Sequence, residues 1–198
     1  MQFGKLVLLF LLMGSLCLAA AGAVTAVQQE ELSEKIIRLH VVANSDDEED
    51  QRVKLLVRDA VLSHLREQKF EGRQQTVLWL NENLDALSDI ALSVLENENC
   101  PMPVTVCMGQ ENYPVRHYDT FSLPAGEYLS LQIMLGSAKG KNWWCVVYPA
   151  ICVPNVGTEF NASAVSAGFT QDEIRFITED TPEIKIKFKL LEWIQKIK

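Results

Sequence analysis

Histidine is scarce in this chain, with three among 198 residues, and five cysteines accompany it. Few metal or nucleophile sites can be built from so small a set. The motifs that announce common enzymes are missing as well. There is no G-x-S-x-G elbow, no H-E-x-x-H, no P-loop and no G-x-G-x-x-G, which removes the serine-hydrolase, zincin and nucleotide-binding readings. Basic charge is short: 18 Lys and Arg stand against 26 Asp and Glu, a net charge of −8. A general nucleic-acid binder must neutralise phosphates, so no nucleic-acid partner is expected. What remains is 48 % hydrophobic and 22 % charged, a globular composition that excludes collagen-like, coiled-coil and wholly disordered chains.

Charge is nearly absent at the N-terminus, where Lys5 stands alone before Glu30. Leu6 to Met13 is apolar, and small residues follow at Gly14, Ser15 and Ala19 to Ala23. A basic start, an apolar core and small residues beyond it form the export-signal pattern, with Ala19–Ala21 or Val24–Ala26 open to a signal peptidase. The same stretch is uncharged from Leu6 to Val27, and at ~1.5 Å per residue it can cross a ~30 Å hydrocarbon layer. Residues 1–26 therefore read as a signal peptide or a membrane anchor, and the rest is expected outside the cytoplasm. Residues 27–35 are polar and read as a tether. Residues 36–198 then form a single globular domain.

Export changes the cysteine arithmetic. Cys17 belongs to the signal, leaving Cys100, Cys107, Cys145 and Cys152. An even number in an oxidising compartment suggests disulfides, with three pairings open. The intervals 100–107 and 145–152 are alike, with six residues inside each. Buried, reduced thiols are the alternative. Neither interval has the short spacing of a structural zinc site, and no metal or cofactor is expected.

Ile36 to Ala43 is rich in β-branched residues and reads as a strand covered on both faces. Ser45 and Glu48 have the spacing of a capping box. A helix to about Lys69 follows, its apolar stripe made of Val53, Leu56, Val57, Ala60, Val61 and Leu65, with His64 beside them as a core histidine. Asn44, Asp46, Glu48 and Asp50 invite a calcium reading, but an EF-hand needs glycine and glutamate where Glu49 and Leu55 stand. A second helix is expected over 74–98. From Pro101 the period switches to two, with Val104 and Val106, then Leu129, Leu131, Ile133 and Leu135, and a further strand from Trp143 to Tyr148. Residues 155–168 read as a flexible connector, and Thr170 starts a short helix.

In the tail, lysines alternate with Ile184, Ile186 and Phe188, which suits a strand with one wet face; helical spacing begins at Leu190. From Pro182 onward five lysines oppose two glutamates. Such a basic, Trp-bearing tail suits either peripheral contact with an anionic membrane or a plain solvated face. The fold class expected is α+β: an N-terminal strand and two helices packed on a mainly antiparallel sheet, preceded by an export signal.

Two possible sites lie close together. Cys145 is the best candidate for a thiol nucleophile, with His40 or His117 as base, making a secreted thiol hydrolase the enzyme alternative. Against it, a neighbouring Cys152 offers the thiol a disulfide instead. The other candidate is a binding surface. Adjacent Trp143 and Trp144 point to opposite sides of a strand, so if one enters the core the other is turned outward beside Lys139 and Lys141.

Two blocks are distinctive. The first is Arg38-Leu-His-Val-Val-Ala-Asn-Ser-Asp46 with Asp50, Gln51, Lys54 and Val57-Arg-Asp59. The second is Pro124-Ala-Gly-Glu-Tyr128 with Gly136, Gly140, Asn142-Trp-Trp-Cys-Val146, Pro149 and Cys152. Together they resemble the stage II sporulation protein R family of endospore-forming Gram-positive bacteria, over about residues 36–153. Ala138 and Ala150 depart from the family's usual glycine and proline. The resemblance implies a protein made in the forespore and exported into the space between the two membranes. There it would switch on a membrane-embedded aspartic protease of the mother cell, which processes the sigma E precursor. The chain itself carries neither Asp-Thr-Gly nor Asp-Ser-Gly. It would be a signal that acts by docking, with Lys139, Asn142, Trp143 and Trp144 as the candidate contact.

Overall fold

The computed structural model describes residues 2–118, 121–149, 164–179 and 181–197. The elements run α1 (Gln2–Ser33), β1 (Ile37–Val42), α2 (Glu48–Arg66), α3 (Arg73–Glu82), α4 (Leu84–Asn97), β2 (Val104–Tyr113), β3 (Arg116–His117), β4 (Ser122–Leu123), β5 (Gly126–Leu135) and β6 (Asn142–Tyr148). Two helices close the chain, α5 (Gln171–Thr178) and α6 (Pro182–Ile197). The fold is α+β with a mainly antiparallel sheet, as the patterning implies. It divides into two compact units interleaved along the sequence: 1–32, 112–126 and 171–198 form one, 33–111 and 127–170 the other.

The second unit is built on a four-stranded sheet ordered β2-β5-β1-β6. β1 runs parallel to β5 and antiparallel to β6. Flanked on both edges, it is buried along its whole length, Arg38 and His40 included. Ile37, Leu39 and Val41 turn to one side, where they meet Val53, Val57, Val61 and Leu65 of α2 and Leu80, Leu87, Ala91 and Leu95 of α3 and α4. At ~1.5–3 kcal/mol for each large aliphatic side chain withdrawn from water, this contact dominates the stability of the unit.

Local details depart from the sequence expectations. The helix expected over 74–98 is two helices that meet at Asn83. The Asn83 carboxamide donates to the Trp79 carbonyl at 2.7 Å, and its backbone N–H points at Trp79 and Leu80. A side chain that competes for main-chain carbonyls ends the first helix there. Likewise Ser45 does not cap α2. The N-cap is Asp47, and the Ser45 hydroxyl accepts from the Asp47 N–H while donating to Asp50.

The first unit contains α1, the β3–β4 hairpin, α5 and α6. The tail is helical throughout, not a strand over Ile184–Phe188. Thr181 receives the Lys185 N–H on its carbonyl and faces the Ile184 N–H with its hydroxyl, and Pro182 follows as the first helical residue. That is a helix start signal. Phe188 and Leu191 are buried, whereas Ile186 is 68 % exposed. The lysine alternation hid a three-to-four-residue apolar period.

α1 continues to Ser33 through the residues expected to be a tether, with Thr25 and Leu32 buried. Leu190 and Ile194 lie within contact of Gly22. Its Leu9–Ser33 part has the length and composition to cross a membrane, the form shared by an anchor and an export signal. The connector expected over 155–168 falls largely outside the described residues.

Candidate functional site

Because β1 sits between β5 and β6, the connection over residues 136–141 must cross the C-terminal end of β1, where the chain turns into α2. Asn44 clamps the crossing. Its Oδ1 accepts the Ser137 N–H at 2.9 Å, and its carbonyl accepts from the Ser137 hydroxyl and the Lys139 N–H. Its carboxamide donates to Asp50, which also receives the Ser45 hydroxyl at 2.6 Å. Gly140 donates to the Ala43 carbonyl, and a Cβ there would strike the Ser45 carbonyl oxygen. Gly136 has φ +58° against the Asn44 side chain, a geometry that suits glycine.

Lys54 completes the clamp from α2. The residue is buried (4 % exposed), and its ammonium donates to Gln51 Oε1 and the Lys141 carbonyl. Gln51 in turn donates to the Ser45 carbonyl. Burial pushes the Lys54 pKa below its ordinary value, and the charges of Arg58 and Lys141 push the same way. Nearby, Arg52 donates to Glu49 and to Glu98 at the C-cap of α4, and its hydrogen bond to Glu49 holds that carboxyl below its usual range.

β6 carries the tryptophans to opposite sides, as strand geometry requires. Trp143 pairs with Val41 on the helix side, packs against the core there, and takes the Arg58 guanidinium over its ring at 4.9 Å. Trp144 pairs with His40 on the other side, the ring centroids 5.5 Å apart. His40 is buried, with Nε2 2.8 Å from Asn142 Oδ1 and Nδ1 2.7 Å from a Glu111 carboxylate oxygen. One row down, the fully buried Arg38 donates from Nε to the Cys145 carbonyl and lies over the Tyr128 ring.

The four contact candidates are thus separated. The side chain of Lys139 is exposed while its N–H is bonded to Asn44; Asn142 is exposed and engaged with His40; Trp143 and Trp144 are half-buried on different sides. Cys145 is disulfide-bonded, which removes its sulfur as a nucleophile; Cys152 lies outside the described residues. Cys100 and Cys107 are free thiols, so the second expected bridge is not formed. Cys100 ends the α4 region against the core, while Cys107 rides an extended strand and points at Gln132. Of the two histidines considered as bases, His40 is held by Glu111 and Asn142, and His117 sits on β3 beside the Ser122 hydroxyl. The sequence reading missed Glu111, which carries no local signal, and the ties from Asn44, Lys54 and Arg58.

Asn44, Ser45, Asp50, Gln51 and Lys54 of the first block and Gly136 and Gly140 of the second thus fasten β1 and α2 to the β5–β6 connection. The family model described as stage II sporulation protein R matches residues 33–158. The chain belongs to the stage II sporulation protein R family. It is similar to the stage II sporulation protein R of Bacillus subtilis (strain 168), 26 % identical over 212 aligned positions that cover 96 % of this chain and 95 % of that one. No solved structure matches. The stage II sporulation protein R family is named for sporulation and not for an enzymatic activity.

Proposed function

We propose that this chain is an exported sporulation signal that docks on the mother cell's membrane-embedded aspartic protease and favours its active state, leading to processing of the sigma E precursor. The observation that carries the docking reading is the clamped β5–β6 connection, which presents Ser137, Lys139, Lys141 and Asn142 as exposed residues on a fixed backbone. A preorganised contact loses little freedom on binding. Activation by docking requires tighter binding to the active form than to the inactive one, since equal affinity shifts nothing. The contact on this reading is Lys139, Asn142 and Trp144, with Trp143 as its support from the core side.

We further propose that α1 stays attached as an anchor on the exporting cell's membrane. Cutting at Ala19–Ala21 or Val24–Ala26 would take away the helix at or beside Gly22 and Thr25, both packed in the first unit.

The test is a Lys139→Glu and Trp144→Ala pair, made singly and together, read out by sigma E precursor processing in sporulating cells and by thermal unfolding of the purified proteins. The expected result is an at least tenfold loss of processing with melting unchanged within a few degrees. Full processing in the double variant would overturn the assignment.

A further inference from the structure

The exposed face of α6 has no counterpart in the docking reading. Ile186 is 68 % exposed and Trp193 is 60 % exposed. Seven residues apart, they fall on one side of the helix with Lys189 between them and Lys196 beyond. Lys185 is exposed too, and Lys189 reaches Glu192 at 3.0 Å. The rest of α6 is committed inside its own unit: Phe188 and Leu191 are buried, Phe188 meets Phe176 edge-on, and on the flank Leu190 and Ile194 lie against Gly22 of α1.

That last contact sets a depth. Leu6, Leu9, Phe10, Leu11, Leu12, Met13 and Leu16 of α1 are all more than half exposed, an apolar surface that water would not tolerate without a cover. Val24 and Val27 are more than half exposed as well, and at ~1.5 Å per residue the helix from Leu6 to Val27 rises about 32 Å, the thickness of a bilayer's hydrocarbon layer, with Gly22 within about 8 Å of its outer end. Gly22, and with it Leu190 and Ile194, then stands near the outer edge of that layer. Trp193 and the lysines of α6 fall at headgroup height, where an amphipathic aromatic ring and ammonium groups are favoured.

We infer that the Ile186–Trp193 face of α6 rests on the surface of the same anionic bilayer that α1 enters. The net charge of +3 from Pro182 to Lys198, on a chain of net −8, gives the helix its preference for anionic lipid. This surface contact rests on the proposal that α1 stays in the membrane, and not on the protease reading.

The test uses the full chain reconstituted into vesicles of phosphatidylcholine with 30 % phosphatidylglycerol, and of phosphatidylcholine alone, each with brominated acyl chains. Tryptophans stand only at positions 79, 143, 144 and 193, so subtracting the signal of Trp193→Phe isolates one ring. Wild type is expected to show at least 1.5-fold more quenching than Trp193→Phe in the anionic vesicles, and a smaller excess in the neutral ones, where α1 alone holds the helix at that depth. A Lys185→Glu, Lys189→Glu, Lys196→Glu variant, which keeps Trp193, should lose the extra quenching in anionic over neutral vesicles while circular dichroism stays unchanged. Equal quenching of wild type and Trp193→Phe, or an excess indifferent to phosphatidylglycerol, would overturn the inference and leave a protein partner for this face.

Discussion

At Gly140 a side chain would run into the Ser45 carbonyl oxygen, and at Gly136 into the Asn44 carboxamide at a left-handed φ. Gly136→Ala and Gly140→Ala are each expected to cost about 1–3 kcal/mol, the range for forcing atoms into packed space or an L-residue into that region. Urea unfolding measures the loss. Lys54 makes a second claim at this scale. Its folded pKa is lowered, first by burial, so between that value and the ordinary one the unfolded chain binds more protons. Stability must therefore rise with pH through that alkaline window. Lys54→Met should lack the rise, and paired unfolding curves from neutral to alkaline pH would show it. Thiol chemistry gives the third: Cys100 and Cys107 should alkylate in denaturant without reductant, and Cys145 only after reduction. Unreduced alkylation of Cys145, detected by peptide mass, would contradict the disulfide.

The elements were unequally legible. β1 and α2 could be located from their apolar patterns because burial and periodicity coincide there. α6 could not, since Ile-Lys-Ile-Lys-Phe-Lys satisfies a period of two while its start, Thr181-Pro182, satisfies a helix. The two readings predict different energetics. In a strand Ile186 and Phe188 share a face; in α6 only Phe188 is buried. Phe188→Ala is expected to cost about 3–5 kcal/mol and Ile186→Ala within about 0.5 kcal/mol in solution. Comparable losses from both would restore the strand.

For the molecule as a whole, the family match over 33–158 begins where the second unit begins, and the large apolar cluster lies wholly in that unit. Leu39→Ala, at its centre, should cost about 2–5 kcal/mol by chemical unfolding. If α1 is an anchor, protein recovered from the membranes of exporting cells will have the intact mass of 22.3 kDa. A shortened species starting near residue 20 or 27 would show a cleaved signal.

The apolar N-terminal segment, the α+β class, the buried first strand and the opposed tryptophans were all determined by the sequence alone, because each depends on hydropathy or spacing among neighbours along the chain. The clamp was not. Asn44 and Ser137 are separated by 93 positions, and no local pattern says that β1 will lie between β5 and β6. Only that strand order brings the connection across the end of β1, so only the tertiary structure could turn two distant blocks of polar residues into one fastened surface.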